Sequence, residues 1–189
     1  MRTIQFLKTA ILTVAVLFSS CAKDDEPGAD NSNNAAFFAA KVDNQQFPTA
    51  DIKFTTAKFV TSTKMLQIIG QPADQKETIV LYLMPFGETV TNAADWEPGT
   101  YDFDPIHVTQ MEYLASAEYN RWNGTGYEGW LTSWDHVKAG KITIESNTGT
   151  HIKGSFSFDA VFKNNDGSFN ASSIKKITEG TFDLDIKNL

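Results

Sequence analysis

Three glycines, Gly124-x-Gly126-x-x-Gly129, reproduce the spacing of a dinucleotide-binding loop, and Trp122, Tyr127, Trp130 and Trp134 crowd the same stretch. Such a loop holds a pyrophosphate because a strand enters the glycines and a helix leaves them. Free amides and the positive end of the helix dipole then face the phosphates. Here the chain beyond Gly129 reads "WLTSWDHVKAG", short, aromatic and closed by Gly140. No helix is expected there, and the glycines are read as hairpin and bulge residues, with no cofactor. The aromatics offer different chemistry. Indole and phenol rings stack on the apolar C–H faces of sugars, so an exposed set at residues 122, 127, 130 and 134 would make a ligand platform for polysaccharide. The competing reading is core or subunit packing, the commoner use of large aromatics on strands.

Catalytic constellations are thin. Ser133, Asp135 and His136 lie within four residues, but neighbours on an extended chain point to opposite sides and make a poor relay. There is no Gly-x-Ser-x-Gly elbow and no His-Glu-x-x-His, and His107, His136 and His151 share no ligand spacing. Asp102 and Asp104 resemble a glycosidase pair only in residue type, since that chemistry depends on the folded separation of the carboxyls. Together with the loop "NNDGS" at 164–168 they suggest oxygen ligands for calcium, yet neither follows Asp-x-Asp-x-Asp-Gly. Asn, Asp and Gly in that loop already have a reason as a turn. No catalytic residue and no metal site are expected.

The N-terminus carries stronger signals. Arg2 and Lys8 precede the apolar run "TAILTVAVLF", followed by Ser19, Ser20 and Cys21, the pattern of an export signal over residues 1–20. That run is about half of the roughly 20 residues a membrane-spanning helix needs. Cys21 is the sole cysteine, so it has no partner for an intrachain disulfide. "LFSSC" resembles a lipobox, in which the cysteine is acylated and becomes the new N-terminus, with Phe18 where leucine is commoner. An ordinary cut after Ala22 is the alternative. Several acyl chains, each contributing about 0.8 kcal/mol per buried methylene, would anchor the protein stably. Residues 21–36 then read as the lipidated cysteine and a flexible acidic tether, too poor in large apolar groups to pack. Lys23, Asp24, Asp25 and Glu26 resemble the address that sends Bacteroidota lipoproteins to the cell surface; a periplasm-facing anchor with a generic acidic linker is the alternative.

From Phe37 onward the dominant period is two. In "HIKGSFSFDAVF", Ile152, Gly154, Phe156, Phe158, Ala160 and Phe162 alternate with polar residues, and Phe182, Leu184 and Ile186 do so near the C-terminus. Further strands are expected at 37–42, 52–60, 64–70, 77–86, 99–103 and 140–146, separated by turn-forming stretches. The nearly unbroken apolar run 79–86 suits a central strand covered on both sides. Residues 108–122 fit both helical and strand spacing; a strand is preferred because Gly124 to Gly126 reads as a hairpin turn with 127–134 returning beside it. The expectation is an all-β domain over 37–189, an antiparallel β-sandwich of roughly 8–10 strands, with a closed lipocalin-like barrel as the alternative.

A net charge of −7, more negative still without Arg2 and Lys8, disfavours nucleic acid as a partner. As a whole, "LFSSC", "AKDDE", "FFAAKVDNQQF", "EPGTYDF", "GKITIES", "IKGSFSFDA" and "ITEGTFDLDI" resemble the short lipoproteins of Bacteroidota that carry a domain of unknown function. Asn44 after Asp43 departs from the glycine typical of that family, a difference confined to a turn. The resemblance implies an outer-membrane protein held by its lipid, without an activity or a site to carry over. A non-catalytic binding or accessory module is expected, for glycans by virtue of the aromatics. An interaction protein of the envelope comes second and a glycan-active enzyme a distant third.

Overall fold

Hydrophobic alternation becomes a hydrogen-bonded ladder in the computed structural model, which describes residues 36–87, 89–103, 113–132, 137 and 139–189. Eleven strands occur among the described residues, with one 3-10 turn at Ala93–Asp95. All described residues fall within one compact unit. The first strands are β1 (Phe37–Val42), the two-residue β2 (Gln45–Gln46), β3 (Thr56–Val60), β4 (Met65–Gly70) and β5 (Glu77–Pro85). They are followed by β6 (Gly99–Asp102), β7 (Tyr113–Trp122), β8 (Tyr127–Leu131), β9 (Gly140–Asn147), β10 (His151–Lys163) and β11 (Phe169–Asn188).

The ladder runs β2-β1-β11-β3-β4-β5-β7-β8-β10-β9-β6, and β10 also pairs with β11. Seven strands therefore return on themselves: β11, β3, β4, β5, β7, β8 and β10. Closure is possible because β10 and β11 are long enough to serve two neighbours on one edge. Residues 152–158 of β10 pair with β9 and 161–163 with β8. Likewise 177–183 of β11 pair with β1, and 186–188 with β3. The fold is all-β, as expected, and combines the cyclic ladder of a barrel with the flanking strands of a sandwich. One pairing departs from the antiparallel expectation: β11 and β3 run parallel. The C-terminus secures this seam, since the amide of Thr61 donates to the Leu189 carbonyl at 2.9 Å and the Leu189 amide to that of Phe59 at 2.9 Å.

The core lies inside the ladder and is built mainly from inward members of each period-two run, including Phe38, Phe59, Leu66, Ile79, Leu81, Ile142, Ile152, Phe158, Phe182 and Leu184. Residues 113–122 form a strand, resolving their dual periodicity. Two boundaries differ from expectation. The strand anticipated from residue 52 begins only at Thr56, because the Asp51 side chain accepts the Lys53 amide at 2.8 Å and its carbonyl accepts the amides of Phe54 and Thr55. That local turn competes with extended backbone. The last strand begins at Phe169, well before the C-terminal run legible in the sequence. Register slips along both edges of β11 near Thr178 and Glu179, where Glu179 has φ 52°, interrupt its alternation.

Candidate functional site

The β7–β8 hairpin holds two exposed aromatics, Trp122 and Tyr127, while Phe37 and Phe86 are exposed elsewhere. Its turn is tied by Asn123, whose side-chain oxygen accepts the amides of Thr125 and Gly126 at 3.0 Å each. Gly124 adopts φ +102°, a conformation that costs a side-chain-bearing residue. A strand, not a helix, follows the three glycines, so the amides that would cradle a pyrophosphate are spent in a hairpin. Gly129 sits opposite Asn120 in regular register rather than in a bulge.

Trp122 and Tyr127 face each other across the first rung of this hairpin. Their rings lie 5.2 Å apart at 64°, and they are 38% and 58% exposed. The pair is fastened from below: the Tyr127 hydroxyl donates to the Gln75 carbonyl at 2.8 Å, and the Trp122 amide donates to the Lys76 carbonyl at 2.7 Å. Ring faces held this way lose little conformational entropy when a ligand covers them.

Trp130 does not join that surface. It lies three residues beyond Tyr127, an odd offset that puts it on the opposite face of the strand. Only 3% exposed, it packs 5.6 Å from Tyr119 and 5.2 Å from Phe162, with Nε1 donating to Ser173 Oγ at 3.2 Å. The Arg121 guanidinium carbon and the Lys175 ammonium sit 5.4 and 5.6 Å from its ring centroid. The expected platform is thereby reduced to Trp122 and Tyr127, because both faces of Trp130 meet protein. Trp134 lies outside the described residues, as do Cys21, Lys23, Asp24, Asp25 and Glu26. Asp104, His107, Ser133, Asp135 and His136 also lie there.

Around Trp130 the charges neutralise one another. Arg121 pairs with Glu128 at 3.0 Å, and Lys175 with Asp43 at 2.6 Å. The Tyr119 hydroxyl donates to Glu77 at 2.9 Å. The Arg121 bond holds the Glu128 carboxyl below its ordinary range. Burial pushes Asp43 upward, but the Lys175 ammonium and the Lys176 amide outweigh it and leave the carboxyl lowered. Burial, reinforced by Glu77, raises the Tyr119 phenol. With its charges paired and tyrosine kept neutral, this network supports Trp130 rather than offering an acid or base.

Asp102 ends β6 opposite Lys141. In the 164–168 loop, Asp166 Oδ1 accepts the Ser168 amide at 2.9 Å and its hydroxyl at 2.6 Å, the internal bonding of a turn. Among the described residues no three His, Cys, Asp or Glu side chains converge in a metal-binding group.

One constellation escapes sequence reasoning. His151 Nε2 lies 2.5 Å from Asp183 Oδ1, and Nδ1 lies 2.9 Å from Asp185 Oδ1. Asp183 is 2% exposed, although it alternates with the inward Phe182 and Leu184. Hydrogen bonding to Asp185 raises the His151 pKa against the opposing effect of burial, and Asp183 adds to the rise. Each ring nitrogen already has a carboxylate partner, so this clasp leaves neither free for a metal or a substrate proton. The sequence contains one clue, the i, i+2 placement of Asp183 and Asp185 on one strand face. That His151 lies opposite Asp185 follows only from the β10–β11 register. No family model, curated protein or solved structure matches the chain.

Proposed function

We propose that this chain is a lipid-anchored protein of the outer membrane, displayed on the cell surface, that acts as a non-catalytic binding module for glycans. The observation that carries the binding reading is the Trp122–Tyr127 pair, two large rings held at the tip of a rigid hairpin and left open to solvent. Sugar rings have apolar C–H faces that stack on such surfaces. Because the two rings meet at 64°, they form a corner rather than a flat shelf, suited to successive residues of a twisted polysaccharide. Anchoring rests on "LFSSC" and on the acidic stretch that follows. Stacking on two rings is weak for one molecule, and many copies on one membrane compensate by acting together.

Affinity electrophoresis through gels containing mixed-linkage β-glucan, xylan, α-mannan or polygalacturonate tests this reading. Retardation of the wild-type chain by at least one polymer, abolished in Trp122→Ala/Tyr127→Ala, is the expected result. Equal retardation of wild type and double variant by every polymer would remove the pair from any binding role.

A further inference from the structure

On the outer side of β9, β10 and β11 lies an open groove of about 500 Å³, lined by residues other than those of the aromatic hairpin. Lys141, Thr143, Ser155, Ser157, Glu179 and Thr181 line it, together with Phe156 and Gly180. Register explains why hydroxyls gather here. Thr181 pairs with Ser155, Ser155 with Thr143, and Thr143 with Thr100 of β6. Four hydroxyl side chains from four strands thus form one row perpendicular to the strands, about 14 Å long at the usual inter-strand spacing. Thr100 and Thr143 bond each other at 3.1 Å. Ser155, Ser157 and Thr181 make no side-chain hydrogen bond to any described residue, so their donors and acceptors face the groove unspent.

The concavity has its own cause. At Thr178 and Glu179 the register of β11 slips against both β1 and β10, and Glu179 takes a left-handed φ of 52°. A bulge in a strand paired on both edges bends the surface locally. It also turns the Glu179 carboxylate toward Lys41, at 2.7 Å, on one rim. Lys141, without a carboxylate partner among the described residues, stands on the groove wall.

We infer that this groove is a second glycan-binding site, which takes a linear oligosaccharide laid across the strands along the Thr181–Ser155–Thr143–Thr100 row. Each hydroxyl both donates and accepts, which matches a chain of sugar hydroxyls better than it matches an anion or a peptide backbone. Phe156, the aromatic in its lining, is buried, so the groove offers hydroxyls alongside aliphatic surface, whereas the hairpin offers open ring faces. The inference shares with the proposed function only the chemical class of the ligand.

The test is amide chemical-shift mapping of the full ¹⁵N-labelled chain in detergent, titrated separately with xylohexaose, mannohexaose and a mixed-linkage glucan hexasaccharide. Shifts at residues 141–143, 155–157 and 179–181 with at least one sugar are expected. Ser155→Val/Thr181→Val should weaken that sugar's binding by at least tenfold with an unchanged thermal midpoint. Should this double variant fail to fold, Lys141→Ala, which alters an exposed side chain, should weaken binding several-fold. Shifts confined to 122–128 would overturn the groove and leave the hairpin standing. Shifts confined to the groove would support it and count against the hairpin, and no shift with any of the three sugars would overturn the groove. Undiminished affinity in a folded groove variant would also overturn it.

Discussion

Trp122 and Trp130 belong to one hairpin yet call for opposite outcomes when truncated. Trp130→Ala removes a buried ring packed on Tyr119 and Phe162, and should cost about 3–5 kcal/mol, lowering the thermal midpoint by roughly 10 °C. Trp122→Ala deletes a partly exposed ring paired with Tyr127 and should cost about 1 kcal/mol, well below the loss at Trp130, while removing glycan retention. A melt and an affinity gel of the two variants separate these roles, and a loss of stability in Trp122→Ala as large as that in Trp130→Ala would place that ring in the packing instead. His151 provides a pH-dependent test. Its folded pKa is raised, so the clasp contributes fully below the unfolded value of about 6.5 and is lost as pH rises through the folded value. The wild-type midpoint should therefore fall by a few degrees from pH 6 to pH 9 relative to His151→Gln. Parallel curves for the two proteins would show that the ion pairs add nothing measurable. The parity that separates Tyr127 from Trp130 was legible in the sequence as their odd spacing. The clasp was not, because its members are 32 and 34 residues apart and meet only through strand pairing.

Elements were legible where alternation was uninterrupted. Residues 37–42 and 151–162 read as strands from their pattern alone, and Gly124 marked the hairpin by its turn chemistry. Strand ends set by side chains were less visible. Asp51 diverts residues 52–54 into a turn, and the slip at Thr178 and Glu179 hides the first half of β11 by breaking its parity. Gly140, at the head of β9, gives a prediction at this scale. Its φ is +100°, and an added Cβ would lie 2.1 Å from the Ser157 carbonyl oxygen and 2.6 Å from Phe158 Cα. Those are backbone atoms of the paired strand and cannot swing aside. Gly140→Ala should cost about 3 kcal/mol or more, read as a lower urea midpoint. A loss below about 1 kcal/mol would mean that the β9–β10 pairing there is slack.

At the scale of the whole molecule, the proposed tether and anchor would decide where the ladder works. Cys21 is the sole acylation acceptor in the proposed reading, so Cys21→Ala should abolish fatty-acid labelling and move the protein from detergent to aqueous phase. Persistent labelling of that variant would refute the lipobox. Replacing Lys23, Asp24, Asp25 and Glu26 by alanine should preserve labelling but shield the protein from protease added to intact cells. Equal cleavage with and without the substitution would reduce the tetrad to a linker. The all-β class, the hairpin and the inward members of most strands followed from the sequence by itself, because each depends on residues close together in the chain. Only the tertiary structure decided the parallel β3–β11 seam, the cyclic ladder, the burial of Trp130, the His151 clasp and the row of hydroxyls. Each of these depends on which strand lies beside which, and that choice is made by the packing of the entire core rather than by the preference of any segment.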